Sequence, residues 1–227
     1  MRRRAADAVE LMDLPDCDAR LLDNTYRQFG LVNRMVSGWR KLYIRELRPA
    51  LEQSTAPARL LDIGSGGGVL ACQLAEWARR DGLALRITGI DPDARADAFA
   101  RRRPSVPGVE FRQAHSSDLV REGNSFDFVI SNHVLHHLPA ADLHQLLSDS
   151  AALASRKVLH NDLRRSPAAY ALFWAAALPF RQSYIRADGL TSIRRSYTPA
   201  ELSAIAPPGW KVEPGAAFHQ VLTLRRN

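Results

Sequence analysis

The stretch that most constrains the fold is "RLLDIGSGGGVLACQLAEW", Arg59 to Trp77. An apolar run reaches Asp62, glycines follow at positions 64, 66, 67 and 68, and a helical pattern begins at once. Glycine is costly to order and is favoured where a backbone turns sharply or lies close to something else. Glycines packed this densely between two hydrophobic segments read as a ligand-holding loop that joins a strand to a helix.

Downstream of that loop, strand-like and helical runs alternate. The strands are "RLLDIG", "LRITGID", "VEFRQA", "FDFVIS" and "RKVLHND", with helices near 69–80, 93–102 and 139–154. This rhythm predicts a parallel sheet with right-handed crossovers. The last two strand-like runs, "GWKVEPG" and "AFHQVLTLRR", have only "PGAA" between them and predict an antiparallel hairpin. Upstream, Phe29, Val32, Val36, Trp39, Tyr43 and Leu47 recur at spacings of three and four, which predicts one helix over 21–51. "RPALEQSTAPAR", with two prolines, reads as a linker. The expected organisation is an N-terminal helical cap over 1–57, a ligand-binding domain over 58–227, and a lid insertion at about 163–197.

Composition narrows the functional classes. A chain of 227 residues with 46% hydrophobic and 24% charged content suits one soluble domain. Two cysteines form no disulfide framework, and with no signal-peptide pattern at the N-terminus they point to the cytoplasm. The net charge of +7 comes from 31 basic residues, all but three of them arginines scattered in twos and threes. Without aromatic residues interleaved along one face, this reads as a solvated basic surface and not a nucleic-acid footprint. No run reaches the length of a membrane span, so membrane contact is at most peripheral.

In an open parallel sheet, ligands sit beyond the carboxyl ends of the strands, where the winding reverses. Asp62 and the glycines end the first strand, and Asp91 ends the second, where an acidic side chain can accept both hydroxyls of a ribose. A dinucleotide fingerprint fits poorly, because the glycine spacing differs and Asp62 would put negative charge beside a pyrophosphate. "LLDIGSGGG", "ITGIDPD" and "SFDFVISNHVLHHLP" together resemble, in order, three motifs of the class I S-adenosylmethionine-dependent methyltransferases. That resemblance implies a Rossmann-like, doubly wound, mostly parallel seven-stranded α/β sheet with a C-terminal antiparallel hairpin. It also implies S-adenosyl-L-methionine as cofactor and S-adenosyl-L-homocysteine (SAH) as product, in contact with Asp62, Gly64, Ser65, Gly66, Gly68, Asp91, Pro92 and Asn132. Family members often carry an acidic residue facing the adenine, but "FRQAHSSDL" differs there. Either His115 or Ser116 meets the adenine edge, or Asp118 reaches it. "FGLVNRMVSGWRKLY" is similar to the segment that covers the cofactor in quinone C-methyltransferases, which adds Asn33.

The acceptor side is read from histidines and aromatics. His133, His136 and His137 have a spacing that could suggest metal ligands on a helix, but His133 ends a strand and no cysteine is near, so no metal is expected. His136 and His137 read as packing residues. His133 and His160, at strand tips, are candidate general bases, with Asp162 as an orienting partner. "SPAAYALFWAAALPF" starts with an N-cap serine and a first-turn proline, and Tyr170, Phe173 and Trp174 on it would suit an aromatic or lipid-like acceptor. "IRADGLTSIRRSYTPAEL" reads as a polar loop, followed by a helix capped by Thr198 and Glu201. Several of these segments are similar to small bacterial methyltransferases associated with polyketide and phenolic-lipid biosynthesis. The expected reaction is O-methylation of a phenolic or enolic small molecule, with C-methylation of a quinone precursor next. A nucleic-acid or protein methyltransferase and a non-catalytic cofactor-binding module are the weaker alternatives.

Overall fold

The computed structural model describes residues 1 and 3–226; for residues 29–36 it describes the backbone only. The N-terminal part holds a short 3-10 turn (Leu11–Asp13), α1 (Ala19–Val36) and α2 (Trp39–Leu42), then a π-helical segment (Tyr43–Leu47) and α3 (Arg48–Glu52). The alternating core follows as β1 (Ala58–Ile63), α4 (Val69–Arg80), β2 (Leu85–Asp91), α5 (Ala94–Arg101), β3 (Val109–Gln113) and α6 (Ser116–Arg121). It continues through β4 (Phe126–Asn132), a 3-10 turn (Leu135–His137), α7 (Ala140–Leu153) and β5 (Ala154–Leu163). Then come α8 (Pro167–Ala176), α9 (Ile185–Arg195), α10 (Pro199–Ile205), β6 (Lys211–Pro214) and β7 (His219–Arg225).

The seven strands pair in the order β3-β2-β1-β4-β5-β7-β6. The first five are parallel, while β7 runs antiparallel to both β5 and β6. Strand order therefore reverses between β1 and β4, which opens a crevice at their carboxyl ends. Alternation along the strands divides the core in two. Leu60, Ile87, Phe128, Ile130, Leu159 and Val221 face α4 and the α2–α3 segment. Leu61, Ile63, Ile90, Val129, Val158 and Leu222 face α7 and α10. Helix α4 buries Leu70, Ala71, Leu74, Ala75 and Ala78, the single stripe expected of a surface helix.

Three local expectations need correction. The helix expected over 21–51 breaks at Ser37–Gly38, because Gly38 has a φ of +70° and starts a new helix. The linker expected after it begins late: residues 48–52 are helical, and Pro49 is tolerated because it sits in a first turn. The polar loop expected after α8 contains helix α9, whose inward face mixes Ile185 and Ile193 with polar side chains. Asp188, Ser192 and Arg195 are buried there at helical spacing, so hydrophobic periodicity does not reveal the element. Asp188 accepts the backbone N–H groups of Leu11 (2.7 Å) and Met12 (3.0 Å), which straps the N-terminal segment across α9. Helix α6 is a further element without a sequence signal. Among the described residues no helix is long and apolar enough to cross a membrane.

Candidate active site

The glycine loop leaves β1 and enters α4 with Gly64, Gly66 and Gly68 all at positive φ. Gly68 caps α4 at a φ of +72°, and a Cβ there would lie 2.3 Å from the Phe111 ring, so no other residue fits. Gly66 differs, because a Cβ there would meet nothing within 4 Å, and its backbone borders open space. The loop is tied to β2: Gly64 and Ser65 donate their N–H groups to Ile90 O (2.8 and 2.9 Å). Asp91 accepts the N–H of Gly66 and of Asp93, each at 2.9 Å, one on each carboxylate oxygen. Burial raises the Asp91 carboxyl above its ordinary range, although the two N–H groups pull the other way. Each oxygen keeps a lone pair for a ligand. Pro92 follows, its carbonyl accepting from Gln113 Nε2 (3.2 Å).

Asp62 suits a cationic cofactor. Its side chain is buried and neither carboxylate oxygen has a hydrogen-bond partner. Burial, with the Asp91 charge in addition, pushes its carboxyl up to about 8. Without a partner the group keeps its proton at neutral pH, and a cation arriving beside it would favour the carboxylate. The aminoacyl ammonium of S-adenosylmethionine has that charge, and the donor set fits it.

On the adenine side the three alternatives separate. Ser116 Oγ donates to Asp149 Oδ2 (2.7 Å) on α7, which turns that side chain away from the crevice. Asp118 accepts the His115 N–H (2.8 Å) and pairs with Arg121. His115 is the exposed N-cap of α6 and shares a capping box with Asp118. The side chain of Asn33 lies outside the described residues. Tyr26 of α1 covers the loop, its ring 5.0 Å from that of Phe99 and its Cβ 3.6 Å from where a Gly67 Cβ would lie.

At the β4 end, Asn132 Oδ1 accepts from Trp39 Nε1 (2.8 Å) and from Asn161 Nδ2 (2.9 Å), and the latter also donates to Ser37 O (2.9 Å). The register places Asp62, Asn132, Asn161 and His219 on one face of the sheet. His133 follows with a φ of +59°, a left-handed conformation uncommon for a residue with a side chain. Its N–H donates to Asn161 O (2.9 Å), and its Nε2 lies 2.9 Å from His219 Nε2. His219 Nδ1 is 3.0 Å from the Ala217 carbonyl, which can only accept. That bond sets the tautomers in turn. His219 carries its proton on Nδ1 and offers the Nε2 lone pair; His133 donates Nε2–H to it and keeps a lone pair on Nδ1. No donor among the described residues approaches that Nδ1. Burial, with the neighbouring His219 in addition, holds His133 well below the ordinary histidine value, and burial also lowers His219.

His160 and Asp162 are not where the sequence suggests. His160 is fully buried between β4 and Trp210: its Nδ1 lies 2.8 Å from Ser131 Oγ, and its ring stacks on the indole at 5.6 Å. Burial pushes it down to about 3, so it is a neutral core residue and not a base facing the crevice. Asp162 orients neither His133 nor His160. It accepts from His136 at both Nδ1 (2.6 Å) and the backbone N–H (2.9 Å). Burial opposes charge on His136, but Asp162 and Glu10 outweigh it and raise the imidazole to about 9. The expected lid aromatics also diverge. Phe173 packs on Gly189 of α9, Tyr170 is half-buried, and Trp174 is exposed beneath the Arg186 guanidinium at 5.2 Å. Sequence reasoning missed His219 and Trp39; the first hides in a strand pattern, and the second reads as helix core.

Residues 61–157 match the family model described as "Methyltransferase domain". A "Ubiquinone biosynthesis O-methyltransferase" of Xanthomonas axonopodis pv. citri is 34% identical over 52% of this chain and 48% of its own length. The protein of the same name from Stutzerimonas stutzeri is 27% identical over 77% of this chain and 71% of its own. The chain thus spans about half the length of the first of these relatives. Among solved structures, the plantazolicin methyltransferase BpumL in complex with SAH superposes with a TM-score of 0.64 at 14% identity, covering 96% of this chain and 93% of that one. Magnesium protoporphyrin IX methyltransferase from Synechocystis PCC 6803, with bound SAH, gives 0.53 at 16% identity, over 91% and 87%. The motifs, the strand order and these matches agree: residues 61–157 carry a methyltransferase domain, and the fold built around them is the one shared by these S-adenosylmethionine-dependent methyltransferases.

Proposed function

We propose that the chain transfers the methyl group of S-adenosylmethionine to the oxygen of a phenolic or enolic, polyketide-type small molecule. The observation that carries this reading is the His133–His219 pair, which leaves an unprotonated nitrogen on His133, next to Asn132 at the end of β4. When bound, the cofactor supplies an electrophilic methyl on a sulfonium, and its transfer is an in-line displacement in which placement matters most.

The chain's own groups divide the remaining work. Asp62 faces the ammonium, Asp91 accepts the ribose hydroxyls, and Gly66 lets the backbone approach the ligand closely. Asn132, held by Trp39 and Asn161, fixes the floor between cofactor and acceptor. His133 Nδ1 would take the acceptor's hydroxyl proton as the oxygen accepts the methyl group. The positive charge that develops on His133 strengthens its Nε2–H bond to His219. Residues 1–57 act as a cap, through Tyr26 over the loop and Trp39 against Asn132. Residues 163–197 form the lid, with Leu172, Trp174 and Leu178 exposed on it to suit a lipid-like acceptor or a peripheral membrane contact.

The relatives named for O-methylation support oxygen over ring carbon as the acceptor atom. The test is incubation with S-adenosylmethionine labelled with carbon-13 in the methyl group, against alkylresorcinols, alkylpyrones and quinols. Methoxy resonances in the product are expected. A ring-methyl product would replace the reading with C-methylation of a quinone precursor. Tight cofactor binding with no SAH release on any acceptor would leave a binding module.

A further inference from the structure

The end of β4 carries a second histidine cluster that methyl transfer does not use. His136 and His137 occupy the 3-10 turn after the strand, and Glu10 reaches them from the N-terminal segment. Each ring is held through Nδ1 by a carboxylate: His136 by Asp162 Oδ1 at 2.6 Å, and His137 by Asp13 Oδ2 at 3.1 Å. With Nδ1–H committed in both rings, the two Nε2 atoms turn to the same carboxylate. His136 Nε2 is 3.6 Å from Glu10 Oε1, and His137 Nε2 is 3.7 Å from Glu10 Oε2. These ligand atoms all lie within 4.8 Å of one another. His136 is 1% exposed, and its Nε2 has no hydrogen-bond partner.

We propose that Glu10, His136 and His137 bind a divalent transition metal of the zinc class, and that Asp162 and Asp13 orient the two imidazoles. A metal-ligating histidine almost always gives its other ring N–H to a carboxylate or carbonyl, and here both do. Two imidazoles and one carboxylate suit zinc and its neighbours, with water completing a tetrahedron. Tetrahedral bonds of 2.0–2.1 Å put neighbouring ligand atoms about 3.3 Å apart, so the two Glu10 contacts, one on each oxygen, close by a few tenths of an ångström, and a pair as wide as 4.8 Å closes by about 1.5 Å.

Charge agrees with that occupant. Glu10, Asp13 and Asp162 bring three negative charges to the cluster. Arg195 Nη1 returns one from 3.7 Å, its distance to both Glu10 Oε1 and Asp13 Oδ2. The remainder matches a dication once the metal displaces the proton that His136 holds on Nε2 in its absence. Ser192 Oγ donates to Glu10 Oε1 (2.9 Å) and steadies the carboxylate from α9. The metal would staple the N-terminal segment to the turn that follows His133, whose ring centroid lies 6.5 Å from that of His136. His133 itself is no ligand, since its Nε2 is engaged with His219. The signal is invisible in the histidine spacing alone because the carboxylates arrive from residues 10, 13 and 162.

The test is calorimetry of the chelator-treated, dialysed full chain with ZnCl2, repeated with CoCl2 while visible absorption is recorded. One metal per chain, a tetrahedral cobalt spectrum and a rise in Tm are expected. His137→Ala, at a side chain 28% exposed and so replaceable without a large cavity, should weaken zinc binding at least ten-fold, as should Glu10→Gln. Asp13→Asn should cost about ten-fold through orientation alone. His144→Ala, on the exposed face of α7, should change nothing. Circular dichroism checks that each variant folds. Equal zinc affinity in wild type, His137→Ala and Glu10→Gln would overturn the site, as would no binding at about 100 μM zinc, a concentration far above that needed by well-formed sites. The cluster would then be satisfied by protons alone.

Discussion

Asp62→Asn should move two readouts in opposite directions. In the ligand-free chain the Asp62 carboxyl sits at about 8 against an ordinary value of 3.8, with burial the main cause. At pH 7 the folded state therefore holds a proton that the unfolded state has released. One pKa unit is worth about 1.36 kcal/mol, so roughly three units set a ceiling of about 4 kcal/mol. Water entering an open crevice lowers this, and about 1–2 kcal/mol is the expected gain when a neutral amide copies the protonated acid. For a chain of this size that raises the ligand-free Tm by a few degrees. The sign follows from linkage: a raised folded pKa contributes stability that is fully present below pH 3.8 and is lost as pH rises through about 8. The wild type should show that slope, and Asp62→Asn should not. Cofactor binding moves the other way, since losing a charged partner for the ammonium costs about 1.5–3 kcal/mol, or roughly 10–150-fold in Kd. Thermal melts from pH 4 to pH 8 and calorimetry with S-adenosylmethionine read both effects. An unchanged ligand-free Tm together with unchanged affinity would place the ammonium elsewhere.

Asp91→Ala should weaken cofactor binding more than ten-fold, because the ribose hydroxyls lose a charged acceptor and the Gly66 and Asp93 N–H groups lose theirs; calorimetry measures it. Trp39→Phe removes the donor to Asn132 and should cost about 1 kcal/mol of stability with a drop in kcat, measured by urea melts and steady-state assay. His219→Ala frees the His133 tautomer, so kcat should fall while the cofactor Kd stays close to that of the wild type. Thr198→Ala breaks a capping box in which Thr198 Oγ1 and the Glu201 carboxylate satisfy each other's backbone N–H, and should cost about 1 kcal/mol in a denaturant titration.

Legibility in the sequence followed how local each cause was. The β1 loop, the Asp91 strand end and the terminal hairpin announce themselves through glycines, acidic residues and alternation within a few positions, and the sheet order supports each of them. Helix α9 hides because its buried face sets only Ile185 and Ile193 beside Asp188, Ser192 and Arg195, and these polar side chains are satisfied by a segment nearly 180 residues away in sequence. The histidines fail for the same reason. At strand tips a period of two says which face a side chain leaves by, but the left-handed turn at His133 resets that count and delivers it to His219. His160 keeps the count and is carried into the core beneath Trp210. Asp162 meets His136 only because the 3-10 turn folds back over the end of β5.

The most direct test of oxygen methylation through His133 is the pH profile of turnover in His133→Ala. Wild-type activity should persist below pH 6.5, because the lowered pKa keeps His133 neutral and able to accept a proton there. In the variant, kcat at pH 7 should fall by roughly 100-fold and then climb toward the wild-type value at alkaline pH, where a phenol with a pKa near 10 ionises unaided. A folded variant that turns over at the wild-type rate at pH 7 would remove His133 from proton transfer. A loss that no pH restores would make the residue structural.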